Sequence, residues 1–88
     1  MKILTEFRTI VNLDNMIAIY QDHPDVKAKY HNVLAELVTR QKPITLASFD
    51  TEDQAEKAIR YIAGRLSSPE GTDQVINMEI VKDIITIQ

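Results

Sequence analysis

The apolar residues of this chain follow two rhythms. The clearer one is helical. Ala55, Ala58, Ile59, Ile62, Ala63 and Leu66 recur at steps of three and four, which predicts an amphipathic helix over residues 52–66. Its start is punctuated. Thr51 stands at the N-cap position with Gln54 three residues on, a capping-box pattern that would satisfy two otherwise orphaned N–H groups. Glu52 and Asp53 fall in the first turn, where the helix dipole favours negative charge. Asp53–Lys57 and Glu56–Arg60 are spaced to pair along the helix. Gly64 weakens the last turn, and Ser67, Ser68 and Pro69 end it.

Elsewhere the rhythm is that of strands. β-Branched residues between Ile3 and Val11 predict a strand over about 7–13. Leu13, Asp14 and Asn15 are a turn signal, since Asp and Asn bond their own backbone. A strand over 16–21 follows, and a two-strand hairpin around Asp14 and Asn15 is expected. The segment from Val26 to Arg40 is ambiguous. Val26, Tyr30, Val33, Leu34, Leu37 and Val38 form a helical stripe that Pro24 could open. As a strand at 29–39, Val33, Ala35 and Leu37 share one face, and Leu34 and Val38 the other. Ile44, Leu46 and Ser48 alternate with Thr45, Ala47 and Phe49 in a strand at 43–49, which Pro43 can open. Residues 67–73 collect turn formers into a loop. In the tail, the alternation of Ile76, Met78 and Ile80 and the β-branching favour a C-terminal strand pair, although a helix through Ile76, Ile80 and Ile84 also fits.

Composition narrows the function classes. Eighty-eight residues make a single domain, 1–88, that buries roughly 60–65% of the surface its unfolded chain exposes. With no cysteine there is no disulfide framework, thiolate chemistry or Cys-based zinc site. No run approaches the roughly 18 apolar residues of a membrane span, and Thr5, Glu6 and Arg8 interrupt any apolar leader. A cytoplasmic location without membrane contact is the expectation. The net charge is −3, with six Lys/Arg against five Asp/Glu in residues 1–43 and four against eight in 44–88. That balance, and aromatics that do not interleave with basic residues, argue against a nucleic-acid partner.

The order of punctuation resembles a group of small uncharacterised proteins from phages and prophages of Gram-positive bacteria. The resemblance rests on Leu13-Asp14-Asn15 between two strands, on a hairpin over 33–49, and on the helix start Phe49-Asp50-Thr51-Glu52-Asp53-Gln54-Ala55. It spans roughly residues 9–63. It implies no activity and transfers no functional residue, but it favours a strand over 30–39.

Four candidates for chemistry remain. The acids Asp50, Glu52, Asp53 and Glu56 are accounted for by the helix start, with only Asp50 unassigned, and they lack the glycine turn of a calcium loop. His23 and His31, near Asp22 and Asp25, could hold a metal or do acid–base work, but two histidines eight apart do not define a zinc site. Lys27, Lys29, Arg40 and Lys42 read as a solvated sheet edge. The apolar tail, with Ile76, Met78, Ile80, Ile84, Ile85 and Ile87, is either core or an interface. No glycine-rich phosphate loop or nucleophile elbow is present, and no cofactor is implied.

The expectation is an α+β domain: an antiparallel sheet of four to six strands with one amphipathic helix packed on one face. If 26–39 is helical, the order becomes ββαβαβ. The expected function is a non-enzymatic protein-interaction module, an accessory protein of a phage or prophage acting on a host protein in defence or regulation. The alternatives are a structural homo-oligomer, such as a homodimer through the apolar tail, and a metal-dependent or acid–base activity at His23 and His31.

Overall fold

The computed structural model describes residues 2–22, 30–39, 41–67 and 75–87. The fold is α+β, as expected, but the described residues form two three-stranded sheets and two helices. Strands β1 (Lys2–Leu4), β2 (Ile10–Asn12) and β6 (Val75–Asn77) form one sheet in the order β2-β1-β6. Strands β3 (Met16–Gln21), β4 (His31–Leu37) and β5 (Ile44–Phe49) form the other, in the order β3-β4-β5. Helix α1 (Glu52–Leu66) follows β5, and helix α2 (Met78–Ile87) follows β6.

The first sheet is small, and one row of side chains holds it. Ile3 pairs with Val11 across an antiparallel ladder and with Ile76 across a parallel one. All three are buried. The strand expected at 7–13 is shorter, and β1 lies where none was expected. Three residues carry too little pattern to read without their partners. The intervening loop is built by Thr5, whose buried hydroxyl accepts from the Phe7 and Thr9 N–H groups at 3.2 and 3.1 Å. Arg8 completes the loop in the left-handed region, with φ of 64°.

Leu13, Asp14 and Asn15 do turn the chain, as a single 3-10 turn, but they do not close the expected hairpin. Asn12 Oδ1 accepts from the Asp14 N–H at 2.9 Å, and Leu13 is buried. Anchoring Leu13 in the core redirects the chain, so β2 and β3 enter different sheets. The Asn15 carbonyl instead accepts from the Val38 N–H at 3.0 Å.

The hairpin β4–β5 is antiparallel, which resolves residues 31–37 as strand. Residues 23–29, where a helical reading would begin, lie outside the described residues. The pairing steps from Val33–Ala47 to Leu34–Thr45, so Leu46 is an extra residue in a β-bulge. The bulge breaks the expected alternation, and Leu46, Ala47 and Phe49 are all buried. A similar shift between Met16 and Ala18 leaves Ile17 opposite no partner and 61% exposed.

Helix α1 has the expected bounds. Thr51 Oγ1 accepts from the Gln54 N–H at 3.1 Å, and the Asp53–Lys57 and Glu56–Arg60 pairs form at 3.3 and 2.7 Å. The reciprocal half of the capping box is not made: Gln54 Oε1 is buried and has no partner among the described residues. Ala55, Ala58 and Ile62 are the buried face of α1, which packs on β3, β4 and β5, whereas Ala63 and Leu66 are exposed.

The tail is the main correction. Among its described residues only Val75–Asn77 is a strand, and it pairs in parallel with β1, so the sheets are not purely antiparallel. Residues 78–87 form α2 rather than a second strand. Met78, Val81 and Ile85, at i, i+3 and i+7, put one face into the core. Asn77 Oδ1 accepts from the Glu79 N–H at 3.0 Å, an N-cap bond that starts the helix. One buried cluster joins β1, β2, β4, β5, β6 and both helices, and Met16 and Ile19 of β3, partly buried, pack against it.

Candidate interaction surface

Helix α2 divides the residues expected to act together. Ile76, Met78 and Ile85 are core. Ile80, Ile84 and Ile87 are 56%, 50% and 83% exposed. Their spacing of four and then three places them on one stripe, since each residue advances about 100° around a helix. Glu79 and Asp83, also exposed, flank the stripe on one side. The tail is therefore both core and surface, where the sequence offered these as alternatives.

Lys82 sets the orientation of α2. Its ammonium donates to Glu6 Oε1, and it lies 5.9 Å from the centroid of the Phe49 ring. Glu6 in turn closes the outer edge of β5. Its N–H donates to the Leu46 carbonyl at 2.9 Å, and its Oε2 accepts from the Ser48 N–H at 2.7 Å. A carboxylate in that position does the work of a neighbouring strand and also holds α2 through Lys82. Nothing in the local sequence marks Glu6 for this. The signal exists only once β5 has bulged and α2 has docked.

The other candidates are dispersed. His31 sits on β4 with Nδ1 3.0 Å from Gln21 Nε2, and His23 lies outside the described residues. Among the described residues, no three His, Asp or Glu side chains gather as metal ligands. The acids of α1 lie along an exposed face. Lys42 is exposed in the β4–β5 connection, and Lys27, Lys29 and Arg40 lie outside the described residues. Among the described residues, no helix is long and apolar enough to cross a membrane.

A cleft of about 220 Å³ opens between the two sheets. Thr9, Ile10, Val11 and Asn12 line one wall, Leu37, Thr39 and Ile44 the other, and Asn15 lies between them in sequence and position. No family model, curated protein or solved structure matches this chain. Its function has to be argued from these surfaces.

Proposed function

We propose that the chain is a non-enzymatic protein-interaction module that docks through the outer stripe of α2. The observation that carries this reading is the exposure of Ile80, Ile84 and Ile87 on one face of a helix whose other face is core. Aliphatic anchors at i, i+4 and i+7 suit an apolar groove on a partner. Glu79 and Asp83 beside the stripe favour a groove rimmed by Lys or Arg. The same acids, in a chain of net charge −3, disfavour pairing with a second copy. The resemblance to proteins of Gram-positive phages and prophages makes a host protein the first partner to seek, in defence or regulation.

The test has two stages. The immobilised chain is exposed to a Gram-positive host lysate, and retained proteins are identified by mass spectrometry. A retained protein is then purified and titrated against the native chain, Ile84→Asp and Glu79→Lys. Loss of about 2 kcal/mol of affinity in Ile84→Asp, with a smaller loss in Glu79→Lys, is the expected result. A partner indifferent to Ile84→Asp would remove α2 as the docking face. A native chain that dimerises, and an Ile84→Asp variant that does not, would establish the homodimer instead.

A further inference from the structure

The cleft between the sheets adjoins a strand edge, and the two features together define a second surface, independent of α2. Among the described residues, strand β2 pairs only with β1. The Thr5 N–H donates to the Thr9 carbonyl at 2.8 Å, which sets the phase of that ladder. In an antiparallel pair, hydrogen-bonded positions alternate. Val11, opposite Ile3, therefore faces β1, and the N–H and C=O of Ile10 face outward, as does the Asn12 N–H. Ile10 and Val11 point to opposite faces of their sheet, yet both line the cleft. A cleft that touches both faces of a strand lies along its edge. The outward backbone groups of Ile10 therefore open into it.

From this geometry we infer that the β2 edge binds an extended peptide segment by strand addition, with one uncharged side chain of the peptide seated between Ile10 and the Leu37–Ile44 wall. The backbone groups of Ile10 demand a complementary backbone. The described lining residues are aliphatic or uncharged polar, so a charged side chain would lose its hydration without gaining a partner. A second copy of this chain fits less well, because its own β2 edge borders the same cleft and two folded sheets would have to meet inside it. A single strand enters a recess that another folded sheet cannot. The opposite sheet has no such opening at β5, whose outward Leu46 carbonyl and Ser48 N–H are taken by Glu6.

The probes are acetylated, amidated five-residue threonine peptides with valine, leucine or aspartate at the centre, titrated to millimolar concentration into the isotope-labelled chain. The valine or leucine peptide is expected to shift the amides of Ile10 and Asn12 and the methyls of Leu37 and Ile44. Exchange of the Ile10 amide should slow roughly tenfold at saturation as it gains an acceptor. The aspartate peptide should bind roughly tenfold more weakly. Ile10→Pro removes the outward N–H without breaking a ladder bond and should abolish the response. Should that variant fail to fold, Thr39→Trp fills the cleft from an exposed position and should have the same effect. No shift from either aliphatic peptide, or shifts confined to α2, would overturn the proposal. So would a concentration-dependent dimer that protects Ile10 in the absence of peptide.

Discussion

Lys82 on α2 donates to the carboxylate of Glu6, 76 residues away in sequence, while the other oxygen of that carboxylate accepts from the Ser48 N–H. One half-buried side chain thus joins the β1–β2 loop, the edge of β5 and the C-terminal helix. Glu6→Ala leaves the Ser48 N–H without its charged acceptor and should cost about 1.5–3 kcal/mol, read from the urea midpoint. Exchange of the Ser48 amide should quicken. Lys82→Met should cost less, because the lysine side chain is about one-third exposed (32%) and the loss of its ammonium leaves the Ser48 bond intact.

Met78 and Ile80 separate the helix from the strand pair that the alternation favours. In a strand they share a face; in α2 one is buried and the other 56% exposed. Met78→Ala should destabilise by about 2–5 kcal/mol. Ile80→Ala should stay within about 0.5 kcal/mol. Equal losses at the two positions would contradict the helix.

Gly64 lies in α1 with nothing within 4 Å of where a Cβ would stand. Gly64→Ala should therefore stabilise by about 1 kcal/mol, since alanine gives up less backbone entropy in a helix. For a domain of this size that corresponds to a rise in melting temperature of roughly 4–8 °C.

Thr51 caps α1 with its hydroxyl, and the reciprocal bond from Gln54 is absent. Thr51→Ala should cost about 1 kcal/mol and Thr51→Ser little. Gln54→Met removes a buried oxygen that has no partner among the described residues and should be neutral or stabilising by up to about 1 kcal/mol. Thermal unfolding of the three variants checks both statements.

Arg8 holds a left-handed φ of 64°, and its contact with Glu79 is long, at 3.8 Å, and exposed. Arg8→Gly relieves the backbone at the cost of some unfolded-state entropy, for a net gain of about 0.5 kcal/mol. A fall in melting temperature would mean that the Glu79 contact outweighs the strain.

What could be read along the chain was local. The bounds of α1 follow from Thr51, the first-turn acids and the Ala/Ile stripe, all within one helix length. The turn at Leu13–Asn15 was legible in Asp14 and Asn15, although the side chain that bonds the backbone there is that of Asn12. For the β4–β5 hairpin, the pattern itself left 26–39 open between helix and strand, and only the resemblance favoured the strand that pairs with β5. For the tail, Asn77 followed by Glu79 in a first turn was a usable helix-start signal, but alternation at Ile76, Met78 and Ile80 masked it.

What only the tertiary structure decided was which apolar residues meet. Ile3, Val11 and Ile76 come from three strands of three residues each, and strands so short gain stability only by pairing and packing together. Anchoring Leu13 in the core, rather than any property of Asp14 or Asn15, sends β2 and β3 into separate sheets. The division of the isoleucines in the tail has the same origin. Ile84 and Ile85 are adjacent and chemically identical, and only the position of the core makes one a surface residue and the other a buried one. Periodicity records how a segment repeats. Which side of the repeat is covered depends on distant residues, because burial is a property of the assembled chain.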